Sequence, residues 1–130
     1  MTDTVETHSE ERSGSEGSTA LLTSATRNRL VLSGEVDISM NEELGQAAVT
    51  IERSGLPLEV DARNVTFMDS SVIAVLARLA YRLPDRLRII QPPDVVRFLL
   101  EVTKIGEIVD IVDVDPGFPG PEPELGEMLG

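Results

Sequence analysis

Few residues in this chain are placed to do covalent chemistry. The 130-residue sequence has one histidine, His8, and no cysteine. A hydroxyl nucleophile needs a positioned base, and the only histidine lies in a polar N-terminal run, so a serine–histidine–aspartate device is absent. Disulfides, thiolate metal sites and cysteine nucleophiles are excluded outright. Neither standard Gly-rich phosphate loop occurs. Asp110, Asp113 and Asp115 are close in sequence, but their spacing fits no calcium loop and Pro116 and Pro119 stiffen the segment. Asp61 ends an apolar strand signal and could stand as a phosphoryl-accepting aspartate. That chemistry needs an acidic pair after the first strand to hold magnesium, and a lysine after a later one. The strand ends at Ala25 and Leu32 offer no such pair, and Ile90 is followed by Gln91. The sequence therefore predicts no metal, no cofactor and no enzyme.

One constellation remains, Asp69-Ser70-Ser71, directly ahead of an apolar run. Helix N-termini present unpaired N–H groups and favour negative charge. A phosphate on either serine would thus be tolerated by the folded state, while changing the surface by about −1.5 to −2 charges beside Asp69. Such a group would switch the binding of a partner. The plainer role of the same three residues is to cap the helix.

The elements around this site follow from period and punctuation. Leu21–Ala25 and Leu30–Leu32 read as short strands joined by a turn at Arg27-Asn28, hence an antiparallel pair. Ser39, with Glu42 three residues on, is the expected capping box of a helix whose apolar face is Leu44, Ala47, Ala48 and Ile51. Gly55 and Pro57 end it. Leu58–Val60 is the next strand, continuing through Val65-Thr-Phe towards the Asp69 loop. Val72 to Leu83 is apolar around most of its circumference, which predicts a buried helix ended by Pro84, with Arg78 and Arg82 on its solvated face. Leu87–Ile90 is a strand. Val95, Phe98, Leu99 and Val102 repeat at helical spacing after Pro93-Asp94, Gly106 closes that helix, and Ile108–Val112 is the last strand. The order ββαβαβαβ predicts an α/β fold on a mixed, mostly parallel sheet with an antiparallel first strand. Phe67, Phe98, Met40 and Met68 are expected to pack in the core, Met68 also lying close enough to the loop to join a docking patch.

Charge divides the chain. The formal net charge is −12, which disfavours nucleic acid or an anionic membrane as the main partner. Residues 1–19 carry a net −4 and residues 113–130 a net −5, so the stretch between them holds only −3. The first segment is polar and the last is broken by prolines, so both read as disordered tails, 1–19 and 114–130, around one domain at 20–113. No apolar run approaches the roughly 18 residues needed to span a bilayer, and the acidic N-terminus is unlike a signal peptide, so a cytoplasmic location is expected. Four aromatic residues and no tryptophan offer no stacking platform for bases.

Three segments together resemble the STAS domain of bacterial anti-sigma factor antagonists. They are Leu32-Ser-Gly-Glu-Val-Asp-Ile, Asp61-Ala-Arg-Asn-Val-Thr-Phe-Met-Asp-Ser-Ser, and Pro93-Asp-Val-Val-Arg-Phe-Leu-Leu-Glu-Val-Thr. Their order and spacing match across residues 20–113. The resemblance implies a STAS-like sheet with helices mainly on one side, in agreement with the independent reading above. It further implies that a partner anti-sigma factor of serine-kinase type phosphorylates Ser70 and that a serine phosphatase resets it. The unmodified form would bind the anti-sigma factor and free the sigma factor. By the same resemblance Asp37 and Ser71 would lie near the partner-binding surface with Asp69 shaping its loop; Met68 joins this set by its position beside the loop, and a monomer is the default expectation for the free protein. The same domain type also serves as a subunit of membrane transport assemblies and as a component of stress-sensing scaffolds. The chain departs from the family pattern at Val72, Ala74 and Lys104, where glycine is common.

Overall fold

Two apolar stretches separated by a polar turn open the fold as a hairpin. Strands β1 (Ser18–Thr23) and β2 (Asn28–Val36) run antiparallel with Leu21 opposite Leu30, and the Ser24 hydroxyl closes the turn by donating to the Arg27 carbonyl. The computed structural model describes residues 17–118. His8 and the outer parts of both acidic ends, with the disorder expected for them, lie outside the described residues.

After the hairpin the chain alternates helix and strand. A 3-10 turn at Ile38–Met40 leads into α1 (Asn41–Ser54), then β3 (Leu58–Met68), α2 (Ser70–Arg82), β4 (Leu87–Ile90), α3 (Asp94–Val102), a second 3-10 turn at Ile105–Glu107, and β5 (Val109–Val112). The strands lie in sequence order, β1-β2-β3-β4-β5, with β2 to β5 all parallel. Each crossover steps to the neighbouring strand in the same direction, and parallel crossovers are right-handed, so all three helices cover one face of the sheet. The core lies between them. Leu30, Leu32, Leu58, Val60, Leu87 and Ile89 project from the strands to meet Leu44 and Ile51 of α1, Ile73, Leu76 and Leu79 of α2, and Val96 and Leu100 of α3. Fully burying a Leu or Ile side chain contributes about 1.5–3 kcal/mol, so this layer is the main source of stability. Arg78 and Arg82 lie outside it, both paired with Glu52 of α1.

Several sequence expectations are corrected. Ser39 does not cap α1. The Asp37 carboxylate takes its N–H at 3.0 Å and its hydroxyl at 2.6 Å, so the chain turns one residue pair earlier and α1 begins at Asn41. Strands β2 and β3 are longer than their apolar cores, because the polar residues Asp61, Arg63 and Asn64 are carried by the pairing of β3 with β2 rather than by propensity. The pairing shifts register between Gly34 and Glu35, where Gly34 has φ 73°. The extra residue of this bulge is Thr66 on β3, and opposite it β2 takes a left-handed conformation that glycine adopts freely. Beyond the bulge, Val36 and Met68 face the core while Glu35 and Phe67 face outward. Phe67, expected in the core, is therefore 46% exposed.

Phe98 is likewise 61% exposed. The fully buried positions of α3 are Val96 and Leu100; of the expected face, Val95 and Leu99 are half-buried against the core while Phe98 and Val102 are exposed. In a nine-residue helix with this many apolar residues, periodicity does not choose the face. Phe98→Ala should accordingly change unfolding free energy by no more than about 0.5 kcal/mol, as surface substitutions do, in urea titration followed by circular dichroism.

Lys104 caps the exit of α3 at φ 68°, which explains why glycine suits this position. A left-handed lysine costs roughly 1–2 kcal/mol in backbone sterics, offset in part by the greater unfolded-state freedom of glycine. Lys104→Gly should raise stability by about 0.5–1 kcal/mol in the same titration.

Candidate functional site

The site is built where β3 turns into α2. Met68 ends the strand with its side chain in the core, and Asp69 follows in extended conformation as the N-cap of α2. Its Oδ1 accepts the N–H of Ser71 at 3.0 Å and of Val72 at 3.3 Å, together with the Ser71 hydroxyl at 2.6 Å. Oδ2 accepts the N–H of Ile38 at 3.0 Å. One carboxylate thus joins two connections, the β2-to-α1 turn and the start of α2. The Asp69 N–H donates to the carbonyl of Val36, which closes the junction from the strand side.

These bonds have an electrostatic consequence. The Ser71 hydroxyl, then the backbone N–H groups of Val72, Ser71 and Ile38, hold the Asp69 carboxyl below the ordinary carboxylate range, against the opposing effect of partial burial. A depressed folded-state value means that the cap's contribution is fully present above the unfolded value of about 3.9 and is lost as pH falls through the folded one. Removing the cap by Asp69→Ala should cost about 1–2 kcal/mol, the range for an N-cap carboxylate. It should also abolish the low-pH carboxyl titration assigned to residue 69 by 13C NMR.

The two serines differ. Ser71 is half-buried, and its hydroxyl is committed to Asp69 and, at 3.4 Å, to Asn41. Ser70 occupies the first helical position, is exposed, and makes no side-chain hydrogen bond among the described residues. Asp37 lies close by, half-buried, at the head of the turn whose Ile38 N–H is held by Asp69. Ser70, Asp69, Ser71 and Asp37 are therefore brought together. Met68 is not at the surface; it is 2% exposed. The exposed apolar residues of the turn and strand that meet at Asp69 are Ile38 and Phe67 instead. No pattern in the sequence marks either one, since their exposure depends on the β3 bulge at Thr66 and on the 3-10 turn.

The other acidic candidates are held by arginines. Asp110 pairs with Arg86, Asp113 with Arg97, and Asp115 with Arg29 and Arg63. Among the described residues no three histidine or acidic side chains gather around a common metal position. Asp61 is chelated by Arg63 at 2.9 Å through both oxygens, which closes it to attack.

On the face of the sheet away from the helices, Arg29 and Glu59 are buried at 5% and 1% exposure. Arg29 Nη2 lies 2.7 Å from Glu59 Oε2 and 2.9 Å from Asp115 Oδ1, and Arg27 reaches the same Glu59 oxygen at 3.2 Å. Residues 115–118 thus lie on the sheet beyond the expected domain end at 113. Asp115, expected to be a solvated end, is part of the fold because it accepts two guanidinium groups. Phe118 completes the cover, its ring 5.5 Å from the Arg27 guanidinium and 5.6 Å from that of Arg29.

With that geometry in place, comparison with known proteins identifies relatives. A family model described as Mlab, STAS domain matches residues 20–112. An anti-sigma factor antagonist from Mycobacterium paratuberculosis has a similar structure, with a TM-score of 0.67 at 17% identity, covering 91% of this chain and 98% of that one. The Bacillus cell fate determinant SpoIIAA is similar in its phosphorylated form, with a TM-score of 0.60 at 17% identity over 87% of this chain and all of that one. Its unphosphorylated form gives 0.60 at 18% identity, covering 87% and 99%. No curated protein sequence gives a significant match. Among the described residues no helix is long and apolar enough to cross a membrane.

Proposed function

Starting from the chain's membership of the STAS-domain family, we propose that it is an anti-sigma factor antagonist switched by phosphorylation of Ser70. In this reading it is a binding protein and a kinase substrate rather than a catalyst. Unmodified, it docks through the Asp69–Ser71 helix mouth, with Asp37, Ile38 and Phe67 alongside, onto a serine-kinase-type anti-sigma factor in the cytoplasm and so releases a sigma factor. Phosphorylated, it lets go, and a serine phosphatase restores it. The observation that carries this reading is the contrast between the two hydroxyls. Ser70 is exposed and uncommitted, whereas Ser71 is tied to the Asp69 carboxylate. A kinase acting on Ser70 has no internal hydrogen bond to break. The phosphate would stand at the first turn of α2, where the helix dipole favours negative charge. The fold, shared with SpoIIAA in both its phosphorylated and unphosphorylated forms, supports the same reading.

The test is phosphopeptide mass spectrometry on protein isolated from its native cells. Trypsin releases Asn64–Arg78, which contains both serines. A single phosphate on Ser70 is expected. Phosphate on Ser71 alone, or an unmodified peptide in every growth phase, would overturn the proposal.

A further inference from the structure

An exposed isoleucine stands in the short connection between β2 and α1. Ile38 opens the 3-10 turn at Ile38–Met40 and is 65% exposed. A lone apolar side chain on a surface is common and needs no function. This one differs in how its backbone is held. At the head of the turn, the Asp37 carboxylate takes the N–H and the hydroxyl of Ser39. At its end, Met40 is buried in the core and donates its N–H to the Asp37 carbonyl at 2.9 Å. A 3-10 turn of three residues has poor hydrogen-bond geometry and little stability of its own. The Ile38 N–H leaves the turn and donates to Asp69 Oδ2 at 3.0 Å.

The two oxygens of Asp69 therefore serve different elements. Oδ1 takes three donors from the start of α2, the Ser71 N–H, the Ser71 hydroxyl and the Val72 N–H. Among the described residues Oδ2 takes Ile38 alone. Capping a helix needs only the first oxygen, and asparagine, with a single acceptor oxygen, caps as well as aspartate does. The second oxygen is what an aspartate adds here. Building on the docking surface proposed above, we infer that this oxygen makes Asp69 a positioning residue for docking: it holds Ile38 as a preordered anchor for an apolar pocket on the anti-sigma factor. Ordering the turn in the free protein removes a cost that binding would otherwise meet. The anchor is tied directly to the residue before Ser70, so it shares one contact surface with the switch.

The test combines Asp69→Asn and Ile38→Ala in the full chain. By 15N relaxation of the free protein, the Ile38 amide of wild type should have an order parameter of about 0.85. Asp69→Asn should lower it below about 0.6 while Ser71 and Val72 stay ordered. Ile38 is exposed, so Ile38→Ala should fold, and circular dichroism checks both variants. Affinity is measured by titration calorimetry against the kinase-type anti-sigma factor purified from the native host. Ile38→Ala should weaken binding by about 30-fold or more, the effect of losing a hot-spot residue. Asp69→Asn should weaken it by about 3- to 10-fold. The same change should cost less than about 2-fold when residue 38 is already alanine, because Oδ2 acts through the Ile38 side chain. Equal losses from Asp69→Asn in both backgrounds, an ordered Ile38 in Asp69→Asn, or full affinity in Ile38→Ala would overturn the anchor and leave the docking surface standing. A wild-type chain that bound no such factor would overturn the docking surface itself, and the anchor with it.

Discussion

Arg29→Ala should cost about 3–5 kcal/mol of unfolding free energy, the range for breaking a buried ion pair from one side. The reason is Glu59. Its side chain is 1% exposed, and with Arg29 removed only the more exposed Arg27 remains against it. Asp115 would lose one of its two guanidinium partners in the same step. Domains of this kind are stable by roughly 5–15 kcal/mol, so the loss is a large share of the total. The double replacement Arg29→Met with Glu59→Leu removes both charges and keeps the volume, and should recover to within about 1 kcal/mol of wild type or exceed it. Urea unfolding with the m-value held constant measures both. Equal losses in the single and double variants would show that packing of the Arg29 stem, rather than charge, is what matters. The acid side of this cluster follows from Asp115, whose carboxyl is held well below the ordinary range by Arg29 first and Arg63 second. Its contribution is therefore complete above the unfolded carboxylate value and is lost as pH falls through the depressed one.

Ser70→Glu should lower affinity for the anti-sigma factor by a factor of some hundreds while leaving the fold intact. Docking over the mouth of α2 removes water from position 70. A charge buried there without a partner costs several kcal/mol, and about 3–4 kcal/mol corresponds to that factor in Kd. The free protein meets no such cost, because Ser70 is exposed and stands at a helix N-terminus. Unfolding free energy should therefore stay within about 0.5 kcal/mol of wild type, as for other surface substitutions. The combination of lost binding and kept stability separates a switch from damage. Ser70→Ala, which adds no charge, should bind as wild type does. Titration calorimetry against the purified partner gives the affinities, and urea unfolding gives the stability.

What the sequence made legible was local. The Asp69 cap, the apolar α2, the Gly55 stop and the alternation of strand and helix all depend on residues within a few positions of one another, and each is where local rules place it. The features that were not legible arise from distant parts of the chain. Arg29, Glu59, Asp61 and Arg63 alternate with apolar residues, which reads as a solvated strand face; residues 115–118, up to 90 positions away, are what cover it. The outward turn of Phe67 depends on a bulge at Thr66 of β3, which shows only in its pairing with Gly34 and Glu35 of β2, more than thirty residues earlier. In α3 the sequence contains an apolar repeat on both candidate faces, and only packing against β3 selects Val96 and Leu100. For the site, helix-start chemistry alone left Ser70 and Ser71 open and the family resemblance pointed to Ser70; the 2.6 Å bond from Ser71 to Asp69 adds a physical difference between them.

The central claim is a partner switch at Ser70, and affinity capture from the native host tests it most directly. The baits are the full-length wild type, Ser70→Ala and Ser70→Glu, with bound proteins identified by mass spectrometry. A kinase-type anti-sigma factor retained by wild type and Ser70→Ala and missing from Ser70→Glu is the result predicted. Subunits of a membrane transporter, retained equally by all three baits, would contradict the claim and leave Ser70 as an ordinary residue of a helix start.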